Sequence, residues 1–348
     1  MPAEDPDVSA PVRIAVLAGG VGGARFLRGL REAAARRWPD GDGGTTAAIT
    51  AIVNTGDDAW LAGLRITPDL DSILYTLAGV NDEQRGWGRV GETERVSAEL
   101  AEYGIGWPWF TLGDLDLGTH IARTSMLRDG LPLSAASARI HSRWPLGVTL
   151  LPMTDDEVET HVEVDDPESP DPDQRIRTMH FQEWWTRYRA SLPARRFVQQ
   201  GIETATPAPG VLETIEAADV ILLAPSNPVV SIGTILNVPG IRAALSRGAG
   251  RVIGVSPIID GSVVRGMADA CLTAIGVATS ASAVALHYGA RIAGGLLDGW
   301  LVDSADNQAV ESLAAAGIAT VARPLWMVDL EKSAAIADAA LELGLRAR

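Results

Sequence analysis

Residues 12–30 read VRIAVLAGGVGGARFLRGL, and this stretch decides the fold. RIAVLA (13–18) is a continuous apolar run of the kind buried on both faces of a parallel sheet. Gly19, Gly20, Gly22 and Gly23 follow, and then Phe26, Leu27, Leu30 and Ala34 recur at helical spacing. Strand, glycine turn and helix form the outline of a phosphate-binding turn. The glycines let the backbone approach a ligand closely, and a helix opening near Ala24 offers free N–H groups and its dipole. The alternative is a tight strand-to-helix turn with no ligand. A dinucleotide fingerprint would place a third glycine where Arg25 stands and an acid about twenty residues further on, at the end of the next strand. That strand instead ends in NTGDD, which disfavours NAD.

Working outward, PDGDGG (39–44) closes the helix and AAITAIV (47–53) is the next buried strand. The pattern returns in DVILLA (219–224), RVIGVS (251–256), LLDGWLVDS (296–304) and IATVARP (318–324), with helical segments between them. Such alternation predicts an α/β fold: a doubly wound, mostly parallel, Rossmann-like sheet. Within residues 109–202 the pattern differs. GVTLLPM (147–153), VETHVEV (158–164) and RIRTMHF (175–181) alternate in polarity, and FQEWWTRYRA (181–190) reads as an aromatic helix. We therefore expect a disordered tail (1–11), a nucleotide-binding core (12–108 and 203–348) and an inserted α+β cap (109–202).

The formal net charge of −15 argues against a nucleic-acid surface, which needs a basic face. Anionic small substrates stay compatible, because local N–H groups, arginines or a metal can reverse the field inside one cleft. The lone cysteine, Cys271, excludes a disulfide framework or a cysteine-rich zinc site and suits a reducing cytoplasm. It sits in MADACLTAIG (267–276) and reads as a buried small hydrophobe. The acidic, proline-rich MPAEDPDVSAP does not read as a signal or transit peptide. No apolar run approaches the ~20 residues of a membrane span.

Four segments carry candidate chemistry. The glycine turn is one. VNTGDDAW (53–60) and RITPDLDSILYTL (65–77) bring Asp57, Asp58, Asp69 and Asp71 to the rim where that turn opens. Helix capping explains one or two aspartates. Four at one rim point to Mg²⁺, a hard cation served by oxygen ligands, with Asp57, Asp58 and Asp69 as its candidate ligands. APSNPVVSIGTIL (224–236) is a stiff polar turn at a sheet crevice. With Gly20, Gly22 and Gly23, its Ser226, Asn227, Pro228 and Ser231 are candidate nucleotide contacts, the alternative being a loop and helix cap. GWGRVGET (86–93) and WPWFTLGDLDLGTHIARTSMLRDG (107–130) set Arg89, Asp114, Asp116, His120 and Arg123 among Trp87, Trp107 and Trp109. Flat aromatics beside polar groups suit a heteroaromatic substrate, while packing of the cap explains any single tryptophan. His120 reads as a hydrogen-bonded structural histidine rather than a base.

GGVGGARFLRG, NTGDD, PDLDSILYTLAG, GWGR, LGDLDLGTHIARTSMLRDG, PMTDDEVETHV, FQEWW, APSNPVVSIGTIL and GVSPIIDG occur in this order. Together they closely resemble the 2-phospho-L-lactate transferase family of coenzyme F-420 biosynthesis, in its actinobacterial branch that acts with phosphoenolpyruvate. The resemblance runs from residue 12 to about residue 329. It implies a guanosine diphosphate conjugate of lactate or enolpyruvate as donor and the deazaflavin Fo as acceptor. The terminal hydroxyl of Fo attacks the phosphorus bearing the three-carbon acid, and GMP leaves. It further implies a Mg²⁺-dependent homodimer. Asp69 and Asp71 match the family's PDLD and would orient the Fo hydroxyl or act as its base. Arg89 would neutralise the three-carbon carboxylate or stabilise the leaving phosphate, and Asp71, Thr111 and Asp114 would meet Fo. Thr111 departs from the family, many of whose members carry a basic residue just before LGD. The rival reading is a related sugar-nucleotide-binding regulatory protein without transferase chemistry. GWGR, LGDLDLGTH and the tryptophan-rich cap favour the transferase, since a regulator has no need to enclose Fo.

Overall fold

Ile14, Val16 and Ala18 pack into one hydrophobic core and Ala15 and Leu17 into another, so the first strand is buried on both faces. The computed structural model describes residues 10–166 and 175–346. Most of the N-terminal tail and of the acidic DDPESPDPD turn lies outside them.

In chain order the first elements are β1 (Arg13–Ala18), α1 (Gly20–Arg37), β2 (Ala48–Val53), β3 (Ala59–Leu61), β4 (Leu64–Ile66) and α2 (Pro68–Ala78). Next come α3 (Arg95–Glu102), α4 (Asp114–Arg128), α5 (Leu133–His141), β5 (Thr149–Pro152), β6 (Glu159–Asp165), β7 (Ile176–His180) and β8 (Ala194–Gln200). The second half holds α6 (Val211–Ala217), β9 (Val220–Leu223), α7 (Ile232–Asn237), α8 (Ile241–Arg247), β10 (Arg251–Val255), β11 (Ile258–Ile259) and β12 (Ser262–Val263). It ends with α9 (Ala268–Ala274), α10 (Ala281–Tyr288), β13 (Gly299–Val302), α11 (Ala309–Ala315), β14 (Ala319–Ala322) and α12 (Leu330–Leu345).

Seven strands form one sheet in the order β14-β13-β10-β9-β1-β2-β5, and every pairing is parallel. The chain builds outward from β1 through β2 to β5, then returns to β9 and builds the other way. The order therefore reverses between β1 and β9, where Leu17 pairs with Leu223, and such a switch point opens a crevice beyond the strand C-termini. Helices α1, α2 and α12 cover one face with Phe26, Leu70 and Leu341. Helices α6, α7, α8, α10 and α11 cover the other with Ile215, Ile235, Leu245, Val284 and Leu313. Among the described residues no helix is long and apolar enough to cross a membrane.

Three features differ from the sequence reading. Helix α1 opens at Gly20, not near Ala24, so Gly22 and Gly23 lie inside its first turns. Thr149–Pro152, assigned from its pattern to the insert, is the outermost strand of the main sheet. An edge strand leaves alternate side chains partly open, so its burial alternates as an antiparallel strand's would. The expected aromatic helix is a single π-helical turn, Glu183–Arg187, with Trp184 buried. The rest of the insert is helical (α4 and α5) and carries a three-stranded antiparallel sheet, β7-β6-β8.

Helix α1 crosses α12 at Gly29, where an added Cβ would lie 2.6 Å from the Ser333 Cβ and closer still to its backbone. Backbone cannot yield as a side-chain tip can, so Gly29→Val should destabilise the fold by about 1–3 kcal/mol in a urea titration. An unchanged midpoint would show that the crossing is loose.

Candidate functional site

The β1–α1 and β9–α7 turns meet across the switch point and are stitched by one hydroxyl. Ser226 Oγ accepts the Gly19 N–H (3.0 Å) and donates to the Gly19 carbonyl (2.7 Å). The glycines make this approach possible. A Cβ on Gly19 would meet Asp69 Oδ2 at 2.5 Å and Ser231 Cβ at 2.8 Å, one on Gly22 the Pro225 carbonyl at 2.5 Å, and one on Gly23 the Ser226 hydroxyl at 2.9 Å. Gly20 has φ +59°, a left-handed conformation that glycine adopts without strain. Its N–H donates to Asp69. The expected phosphate cradle therefore takes a different form: Gly22 and Gly23 serve loop–helix packing, and a carboxylate of the protein sits at the α1 N-terminus. Asn227 also works internally. Its Oδ1 accepts from Val229 N (2.9 Å) and Val230 N (3.2 Å), and its amide points to Cys271 Sγ (3.4 Å). The Pro228 carbonyl accepts from Gly233 N (3.0 Å), and Ser231 stands at the start of α7 beside Gly19 without a side-chain cap bond.

The two aspartates of PDLD part company because residues two apart on a helix face different ways. Asp69 turns to the crevice, where Asn54 Nδ2 donates to its Oδ2 at 2.9 Å. Asp57 shares Asn54, repels Asp69 and leaves its Oδ1 without a hydrogen-bond partner. Both are buried. Burial, then repulsion from Asp69 and Asp58, lifts Asp57 well above the usual carboxylate range, and burial lifts Asp69 to about 6. A pair of desolvated carboxyls with an orphaned oxygen and, among the described residues, no arginine or lysine within ion-pair distance fits a hard divalent cation.

Asp71 faces the opposite way, into a compensated network. Arg123 Nη2 donates to its Oδ1, and Thr67 Oγ1 donates to its Oδ2 at 3.1 Å. His120 lies 3.6 Å from Asp71 and 3.3 Å from Asp116, whose Oδ1 accepts the Tyr75 hydroxyl at 2.7 Å. Burial alone would raise Asp116, but His120, Tyr75 and Arg123 together hold it below its ordinary value. Ligand atoms of Asp71, Asp116 and His120 lie within 4.8 Å of one another, yet the buried Arg123 guanidinium already supplies the positive charge a metal would bring. Asp58 belongs nearer to this side. Arg65 stands 3.5 Å from its Oδ2, and burial outweighs Arg65 and Arg123 to raise its pKa. Of the three candidate ligands, then, Asp57 and Asp69 converge and Asp58 sits towards the arginines.

The remaining candidates spread wider. Arg89 is buried with its guanidinium over Tyr75 (5.7 Å) and Trp144 (5.6 Å). Asp114 ties α3 to α4 by accepting from Thr93 Oγ1 (2.5 Å) and Val96 N (3.1 Å), and these bonds hold its carboxyl low. Thr111 is exposed. Trp107 and Trp109 stack at 4.8 Å with His180 beside them (5.9 Å). The sequence alone did not single out Asn54 or Arg65 as members of the site. Asn54 opens the quoted NTGDD, and its place just past a strand end beside two acids was the available signal.

Two predictions follow from the two networks. Arg123→Met strands the buried Asp71 carboxylate and should cost about 3–5 kcal/mol in denaturant titration; a loss under about 1 kcal/mol would mean that solvent or another cation compensates it. In chelated protein, folded Asp69 keeps a proton between 3.8 and about 6 that the unfolded chain has released. Stability should thus fall as pH rises through that window, and Asp69→Asn should flatten this slope. An identical slope in the variant would remove Asp69 as its source.

Residues 14–336 match the family model described as 2-phospho-L-lactate transferase CofD. The chain is 56% identical over 334 residues to a protein of Thermobifida fusca named phosphoenolpyruvate transferase, covering 96% of this chain and 98% of that one. Proteins of the same name from Streptomyces griseus and Mycobacterium marinum are 55% and 53% identical, covering 97% and 95% of this chain and 100% and 98% of theirs. Among solved structures, a UPF0052 family member from Bacillus halodurans superposes with a TM-score of 0.60 at 19% identity, covering 96% of this chain and all of that one; the likeness is one of fold. With motif order, sheet topology and full-length similarity in agreement, this chain belongs to the 2-phospho-L-lactate transferase CofD family.

Proposed function

We propose that this transferase moves a phospho-three-carbon acid from a guanosine diphosphate conjugate to the terminal hydroxyl of Fo, releasing GMP. The observation that carries this reading is the Asp57–Asp69 pair, buried at the crevice between β1 and β9 with no arginine or lysine paired to it among the described residues. The names of the relatives favour enolpyruvate as the three-carbon unit.

In the proposed step the Fo hydroxyl oxygen bonds to the phosphorus bearing the acid. The bond from that phosphorus to the bridging oxygen breaks, and GMP departs with the electron pair. Such transfers depend on position and charge neutralisation more than on covalent help. A magnesium ion held by Asp57 and Asp69 would neutralise charge developing on the transferring group. We assign Asp69, which faces the crevice beside Asn54, to orient the Fo hydroxyl and receive its proton. Asp71, with Arg123 on one oxygen and Thr67 on the other, acts as a fixed wall of the site. The stacked Trp107–Trp109 pair at 4.8 Å offers a flat apolar shelf for the deazaflavin ring.

Titration with Fo, followed by its fluorescence, tests the reading. Saturable binding should tighten when GDP and Mg²⁺ are added, and Asp57→Asn and Asp69→Asn should each lower transfer at least about a hundredfold while the fold survives. Absence of Fo binding under every condition, with binding of a UDP-sugar instead, would replace the transferase reading with the regulatory one.

A further inference from the structure

Beside the carboxylate pair the surface changes sign. A crevice between α1 and α2 is lined by Val21, Arg25 and Arg28 from α1 and by Ser72, Tyr75 and Thr76 from α2. The loop after α2 roofs it with Asn81, Glu83 and Trp87, and Arg265 closes one edge. The crevice borders the site directly: Val21 follows Gly20, whose N–H holds Asp69, and Ser72 follows Asp71.

The roof is built rather than draped. Asp82 N donates to the Gly88 carbonyl (3.1 Å), Gly86 N to the Asp82 carbonyl (2.8 Å), and Asp82 Oδ1 accepts from Gln84 N and Arg85 N (both 3.0 Å). Arg85 stacks over Trp87 at 4.1 Å, and the Arg265 guanidinium packs against Gly86.

Charge inside the crevice is one-sided. Arg28 is spent on Glu83, 2.6 Å away, and these two neutralise each other. Arg25 and Arg265 have no ion pair, and the side chains of Ser72, Thr76 and Asn81 make no hydrogen bond with the described residues. Desolvation and the nearby Arg25 both push Arg265 below the usual guanidinium value. Arg25, half-buried, and Arg265, at the exposed edge, thus line one crevice without an ion pair among the described residues, a setting that attracts an anion.

We propose that this crevice is the subsite for the carboxylate of the donor's three-carbon acid, with Arg25 and Arg265 as its anion-binding pair and Ser72, Thr76 and Asn81 as neutral donors. The assignment rests on the transfer reading above. It moves the role expected of Arg89, which is buried against Tyr75 and Trp144, to two arginines whose guanidinium groups are free. The crevice would thus select the acid, while the switch point holds the phosphates.

Calorimetric titration of the full chain with phosphoenolpyruvate, and separately with GDP, tests the subsite without requiring turnover. Wild type should bind phosphoenolpyruvate saturably, and pyruvate should displace it. Arg25→Gln and Arg265→Gln should each weaken that binding at least tenfold, with GDP affinity changed less than twofold and thermal unfolding unaltered. Undiminished phosphoenolpyruvate binding in both variants, or displacement by inorganic phosphate but not by pyruvate, would overturn the proposal. Loss of binding in the variants of a protein that performs no transfer to Fo would sink the functional reading and leave the subsite standing.

Discussion

The absence of a side chain at Gly19 is the constraint on which the rest of the site depends. It lets the Ser226 hydroxyl bridge both polar groups of that residue, 3.0 and 2.7 Å away, and so locks β1–α1 to β9–α7 across the point where strand order reverses. It also leaves the space that Asp69 and Ser231 occupy beside the backbone, at what would be 2.5 and 2.8 Å from a Cβ. Any larger residue would have to push apart two turns anchored in the centre of a seven-stranded sheet.

Closing the crevice this way has an electrostatic consequence. A helix N-terminus at a switch point ordinarily serves a substrate phosphate. Here Asp69 takes the Gly20 N–H, so negative charge is already present where a diphosphate would arrive. The protein separates its acids into two groups to manage this. Asp71 and Asp116 are balanced by Arg123, His120 and Tyr75, and they form a stable wall. Asp57 and Asp69 are left to each other and to Asn54, and burial raises both above the usual carboxylate range. Burial without compensation is costly in a purely structural element, which is the ground for reading this pair as a functional site. The cap reinforces this: Thr160 N donates to the Gly56 carbonyl at 2.6 Å, holding the turn that presents Asp57 and Asp58.

The fold was legible where burial is symmetrical. RIAVLA and AAITAIV read as interior parallel strands because both faces are covered, and the crossover helices followed from period. Thr149–Pro152 escaped because an edge strand shows one open face, and local alternation does not distinguish that from an antiparallel insert. In the site, the sequence reading set four acids at one rim, whereas the structure turns Asp57 and Asp69 to Asn54 and Asp58 and Asp71 towards the arginines. Asp57 and Asp58 are neighbours in sequence that face different partners, and the outcome depends on where α4 delivers Arg123. The glycines were recognised for close approach. What approaches Gly22 and Gly23 is the Pro225–Ser226 turn, a contact about two hundred residues away that no local pattern encodes.

The central claim, that the Asp57–Asp69 pair is a cation-dependent phosphoryl-transfer centre, is tested most directly by product analysis. The protein would be incubated with Fo and a synthetic guanosine diphosphate conjugate of enolpyruvate, with Mg²⁺ or with a chelator, and the released nucleotide identified. The account predicts GMP formed in equal amount to Fo consumed, dependent on Mg²⁺ and absent in Asp57→Asn. Transfer that continues unabated in the chelator, or release of GDP in place of GMP, would contradict it.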